Sequence, residues 1–147
     1  MYNLLLLLHV LGATIWTGGH LVLALAVLPG VLARRAPAEL LRFESAYERI
    51  GIPALLIQVG SGIGLAHNAV PDIARWFAFA DPASRLIGIK LALLALTAVL
   101  ALDARLRIIP RLSADNLRAL AWHIIPVTVV SVLFVIVGVS FRTGWLY

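Results

Sequence analysis

Residues 4–32 read LLLLLHVLGATIWTGGHLVLALAVLPGVL, and this stretch decides the fold. It carries no Asp, Glu, Lys or Arg. A bilayer core needs about 20 apolar residues at ~1.5 Å of helical rise each, so this run is long enough to cross. Three further runs share its character, at about 50–67, 86–106 and 117–141. The whole chain agrees with its parts. Of 147 residues 62% are hydrophobic and 13% charged, whereas soluble domains hold about 45–50% apolar and a quarter charged residues. A soluble domain of this size could not cover so much apolar surface, and disorder is excluded by the same count. The expectation is an all-α integral membrane protein: a single domain, one antiparallel bundle of four transmembrane helices.

The first run lacks a basic leading region and continues past any small-residue cleavage site, so it reads as a permanent helix rather than a signal peptide. Short loops set the orientation. Arg34, Arg35, Arg42 and Arg49 fall in the first connection, and Arg105, Arg107, Arg111 and Arg118 in the third. Only Arg75, Arg85 and Arg142 fall on the other side, with Lys90 inside a span. The positive-inside rule makes the arginine-rich side cytoplasmic and turns both termini outward, to the periplasmic face of a bacterial inner membrane. Tyr2, Trp76, Phe77, Phe79, Trp145 and Tyr147 would form the outer aromatic belt. The net charge of +5 is then a topology signal, with no nucleic-acid partner implied. Residues 39–49 read as helical, either lying on the membrane surface or extending the second helix.

Chemistry must come from what remains. There is no cysteine, and the one methionine is Met1. Disulfides, thiolate metal sites and thiol nucleophiles are therefore ruled out. All four histidines, His9, His20, His67 and His123, lie within the spans, where ionisable groups are costly and usually functional. They sort by depth into an outer pair, His9 with His67, and an inner pair, His20 with His123. At ~100° per residue the 11-residue step from His9 to His20 closes to about 20° past three turns, so both point one way.

Two imidazoles facing each other across a bundle suit haem iron, the cofactor most often held by axial histidine. Gly12, Gly18 and Gly19, with Gly60 and Gly64 before His67, would make room for a porphyrin, and Trp16 would pack on it. Gly60-x-x-x-Gly64 serves equally as a helix-packing or homodimer motif. Copper is the rival ligand. Cu(I) prefers thiolate and thioether donors, so the inventory favours haem, or Cu(II) at an exposed outer site. Lys90 either snorkels or joins Arg85 in pairing a haem propionate. Asp103 pairs locally with Arg107 or orients an inner histidine. Any single histidine could also be only a helix–helix hydrogen-bond partner, which would make the protein a scaffold.

Leu8-His9, Trp16 and Gly19, with Gly88-x-Lys90-Leu91 opening the third span, resemble the CopD (copper-resistance D) family and the related HemJ-type membrane proteins. Pro126-Val127-Thr128 fits the same group. WTGGH at 16–20, FESAYER at 43–49 and FRTG at 141–144 are similar to the short, stand-alone CopD-like proteins. The resemblance covers nearly the whole chain, and its specificity lies in the combination. It implies copper tolerance or uptake at the inner membrane on one side, and haem b with tetrapyrrole oxidation on the other. His9 and Lys90 match the shared pattern. His20 and His123 depart from the HemJ pattern, which weighs against a protoporphyrinogen oxidase. The expectation is a cytochrome-b-like electron carrier with one or two haems b, His9/His67 outside and His20/His123 inside. It would exchange electrons with quinone or with a periplasmic redox or copper protein. The alternative is a copper transporter using the same histidines.

Overall fold

The computed structural model describes residues 1–146; Tyr147, expected in the outer aromatic belt, lies outside them. Four helices are long and apolar enough to cross a membrane: α1 (Tyr2–Arg34), α2 (Pro37–Ala69), α3 (Pro82–Arg111) and α4 (Leu117–Thr143). Among the described residues there is no strand. Their ends follow local chemistry. Proline, which has no N–H to leave unpaired, occupies the first turn of α2 and α3. Asp81 and Ser84 cap α3 reciprocally. Gly144 closes α4 in the left-handed conformation that glycine adopts without penalty. The second helix begins at Pro37, well before the hydropathic run at residue 50, so the stretch from Glu39 to Arg49 extends it.

Two π-turns interrupt the helices, Leu23–Val27 in α1 and Ala104–Ile108 in α3. Each stands just upstream of a proline, Pro29 and Pro110. Proline cannot donate to the carbonyl four residues back and its ring crowds that oxygen, so the ladder slips by one residue before it.

The seams run α2–α1, α1–α4 and α4–α3, whereas α2 and α3 make at most marginal contact. The bundle is thus closed on three sides and parted on the fourth. At one end Leu23, Leu28, Val31, Leu40, Leu117, Leu120 and Ile124 form a continuous core. The arginine-rich loops gather at this end and are held by ion pairs: Arg34–Glu39 (2.6 Å), Arg35–Asp115 (2.5 Å) and Arg105–Glu48. The first and last of these brace α2 to the chain on either side. These are exposed pairs, so each is worth little alone.

At the opposite end the α2–α3 connection makes a short 3₁₀ turn, Ile73–Phe77. Trp76 does not face outward as a belt residue would: it is 6% exposed and packs among Ala66, Ile87, Leu91 and Phe141. Its indole N–H donates to the Val70 carbonyl at 2.8 Å. Gly88 makes this possible, because a Cβ there would lie 2.8 Å from the Phe79 ring and 3.0 Å from the Trp76 carbonyl. Tyr2, Phe77, Phe79 and Trp145 are exposed, as belt residues would be.

Asp81 fastens the other end of this connection. It accepts from the Ser84 N–H (3.0 Å) and from Arg75 (2.7 Å). The Ser84 amide first, and the Arg75 guanidinium after it, hold the Asp81 carboxyl below its usual range. A carboxylate depressed in the folded state stabilises above its unfolded pKa, and that contribution is lost as pH falls through the folded value. The protection of the Ser84 and Arg85 amides, measured against the intrinsic exchange rate at each pH, should therefore fall on acidification. The acid dependence should disappear in Asp81→Asn.

Candidate functional site

The closest seam, α1 on α2, positions the site. Gly12 lies against the α2 backbone: a Cβ there would stand 2.8 Å from the Ala54 carbonyl oxygen and 2.9 Å from Gln58 Cβ. One turn away, His9 Nδ1 lies 2.8 Å from the Gln58 backbone carbonyl, with Ser61 Oγ at 3.4 Å. A carbonyl oxygen only accepts, so Nδ1 carries a proton, and in the neutral ring Nε2 keeps its lone pair. Imidazoles that ligate metals are held this way, with the second nitrogen donating to a carbonyl or carboxylate. Gly62 gives the ring its space, since a Cβ there would fall 2.9 Å from His9 Cε1.

His9 lines a cavity of about 600 Å³ between the four helices, a size usual for small-molecule and cofactor sites (~300–1,000 Å³). Its walls are mostly apolar, with Leu6, Leu55, Leu91, Leu94 and Phe134 among them. Polar groups are few. Lys90 and Arg142 stand toward the end where Trp76 and Tyr2 lie, while Gln58 and Thr97 stand deeper. Lys90 Nζ lies 5.5 Å from the centre of the Phe141 ring. Among the described residues neither cation has a carboxylate within ion-pair distance. Gln58 is 7% exposed and its Oε1 is buried without a partner. An apolar slot with two unpaired cations at one end suits an amphipathic ligand bearing anionic groups.

The expected site residues separate. Trp16 lines the cavity with His9 and Lys90. His67 is exposed and outside the lining, so the structure does not bring it to His9. Arg85 is also exposed and outside the lining, whereas Arg142, exposed as well, lines the cavity with Lys90. Gly60 faces open space, and Gly64 packs on Leu5 rather than on a cofactor space. Gly19 receives the Tyr47 ring, and Gly18 meets nothing.

The inner histidines turn to different neighbours. His20 is buried, donates from Nδ1 to its own helix at the Trp16 carbonyl (2.9 Å), and lies 4.4 Å from the Trp16 ring and 5.7 Å from Tyr47. Tyr47 donates to the same Trp16 carbonyl at 3.0 Å. As the 11-residue spacing requires, His9 and His20 both face α2, meeting Gln58 and Tyr47. His123 instead engages both ring nitrogens, Nδ1 with the Ala119 carbonyl (3.0 Å) and Nε2 with Asp103 (2.8 Å). No nitrogen is left for a metal. Asp103 also meets Arg107 at 3.2 Å, so both readings of that residue hold at once.

Reading the sequence alone missed Gln58, Gly62, Thr97, Phe134, Gly138 and Arg142. Only Arg142 had a signal, inside the FRTG stretch. Among the described residues no three histidine or acidic side chains converge as a metal-ion site.

A family model described as copper resistance protein D matches residues 41–141. The match spans most of α2, all of α3 and nearly all of α4, and so includes Gln58, Gly62 and Lys90 of the cavity. No curated protein and no solved structure matches the chain.

Proposed function

The chain belongs to the copper resistance protein D family, and from that premise we propose that its cavity holds one haem b, making it a redox component of copper tolerance. Family and fold make it a copper-resistance-related, multi-pass membrane protein; the haem is the further step. The observation that carries it is His9: an imidazole with its Nδ1 proton committed to a carbonyl and its Nε2 free, lining a cofactor-sized apolar cavity. His9 Nε2 would hold the iron. Lys90 and Arg142 would pair the propionates, Gly62 and Gly138 would leave room for the ring edge, and Trp16 would pack at its deep end. A bound haem supplies one-electron chemistry; the chain supplies orientation, a low dielectric and charge compensation. Its electron partners would be a quinone in the bilayer or a redox protein at the outer surface, in a bacterial inner membrane with both termini outward.

The second reading is copper transport, which the family description favours. Purified protein from haem-sufficient cells separates the two. The haem reading expects a Soret band, a reduced α-band and iron recovered as pyridine haemochrome. Copper without haemochrome, in colourless protein, would replace it with the transport reading.

A further inference from the structure

His123 of α4 meets Asp103 of α3 at the arginine-rich end of the bundle, and the bonding there fixes a number of protons. The ring engages two acceptors at once: Nδ1 stands 3.0 Å from the Ala119 carbonyl and Nε2 2.8 Å from Asp103 Oδ2. The carbonyl only accepts, so Nδ1 carries a proton. A second proton must lie between Nε2 and Asp103, whichever of the two holds it, because a bare ring nitrogen and a bare carboxylate repel. A neutral ring beside an ionised Asp103 is one proton short. Its bare nitrogen then faces either the carboxylate or the carbonyl. The ring is rigid, so turning it off one acceptor displaces it from the other.

Position gives this contact leverage. Of the other three helices only α4 gives α3 a seam. Asp103 is the last residue before the π-turn Ala104–Ile108, where the helical ladder has already slipped. Two residues on, Arg105 reaches Glu48 of α2, the ion pair that bridges the parted side of the bundle at this end. A groove of about 300 Å³ lies beside that bridge, lined by Leu41, Glu44 and Ile109 with the two partners. The His123 and Asp103 side chains are 18% and 33% exposed, so their bond is partly shielded and still exchanges protons with water.

The other charges around the pair have their own places. On α3, Arg107 meets the second Asp103 oxygen at 3.2 Å, and Arg105 is committed to Glu48. α1 also packs on α4. It brings His20, turned to Trp16 and Tyr47, and Arg34, paired with Glu39; Arg35 just beyond it pairs with Asp115. Arg111 at the end of α3 and Arg118 of α4 are exposed.

We propose that His123 and Asp103 form a proton-operated latch: with the shared proton in place the arginine-rich end of α3 is held on α4, and its loss frees that end together with the Arg105–Glu48 bridge. The bundle then opens between α2 and α3 at this end as pH rises there. The latch goes beyond the haem reading and stands whatever the cavity holds, since Lys90 on the cavity wall lies about 20 Å along α3 from Asp103.

The chain has no cysteine, so Leu106→Cys and Ile125→Cys, both at exposed positions, place two spin labels on α3 and α4 alone. Their separation is read by pulsed electron paramagnetic resonance in lipid nanodiscs from about pH 5 to about pH 10. The expected result is one short distance on the acid side and a longer population that grows as pH rises. Asp103→Asn should hold the short distance throughout, because its amide N–H donates to the bare Nε2 of the neutral ring while Nδ1 keeps Ala119. Asp103→Ala, which has no such donor, should show the longer distance throughout. A wild-type distance that pH leaves unmoved would overturn the proposal, and so would an Asp103→Asn distance that lengthens with pH as wild type does. The measurement needs no cofactor, so either failure leaves the haem reading untouched.

Discussion

His9→Ala protein should come out of the membrane folded and without its cofactor absorption, the largest single effect expected in this molecule. Losing an outer hydrogen-bond partner of a metal ligand already costs about 10–100-fold in affinity. Removing His9, the proposed ligand itself, should go beyond that. The substitution leaves the seam intact, because what seats α1 on α2 is Gly12, not the imidazole. It also leaves a space of imidazole shape beside Gly62, so added free imidazole should restore the absorption. His67→Ala and His123→Ala supply the contrast. Both should keep a wild-type spectrum, since neither residue lines the cavity. Loss of absorption in His67→Ala equal to that in His9→Ala would return the site to the two-histidine arrangement expected from depth alone.

Gly12→Leu should produce the second large effect, on stability and site together. Its new Cβ would stand 2.8 Å from the Ala54 carbonyl oxygen and 2.9 Å from Gln58 Cβ. Backbone cannot swing away as a flexible side chain can, so the helices must part. Overpacking a close seam typically costs about 1–3 kcal/mol. Here the displaced residue is Gln58, whose carbonyl holds His9 Nδ1 at 2.8 Å. The variant should therefore unfold at lower denaturant and show a broadened, weakened cofactor band before it unfolds. Gly60→Leu is the matched control: a Cβ at Gly60 meets open space, and both readouts should stay at wild type. Equal damage from the two would mean that α1 does not sit on α2 at Gly12.

The contrast between Gly12 and Gly60 shows where sequence reasoning loses hold. Gly60 and Gly64 lie seven and three residues before His67 and so share its helix face. In the structure His67 is exposed, so its face is not the cavity's face. The glycine that makes room for His9 is Gly62, two residues along and thus about 200° around the helix. Nothing in α2's own pattern could have said so. A helix in water shows its inner face as an apolar stripe against a polar one. In a bilayer both faces are apolar, and the stripe that would reveal the rotation is gone. The same loss explains Arg85 and Arg142, both near the same end of the bundle. Only the packing of α4 against α3 brings the second into the cavity and leaves the first outside.

The residues alone determined that this chain lives in a membrane, that it crosses four times, and that imidazole is almost all the ligand chemistry it has. Those conclusions follow from length, hydropathy and a count of side chains, which no packing can alter. They also required His9 and His20 to share one face, because both ride on a single regular stretch of helix. Which helices touch, and which way each is turned, was decided by tertiary structure. It seated α1 on α2 through Gly12 and turned His67 out. It gave His123 to Asp103 and left α2 and α3 parted around His9. Between apolar helices in an apolar solvent, only shape and a few hydrogen bonds choose among rotations, and those contacts exist only once the helices have met.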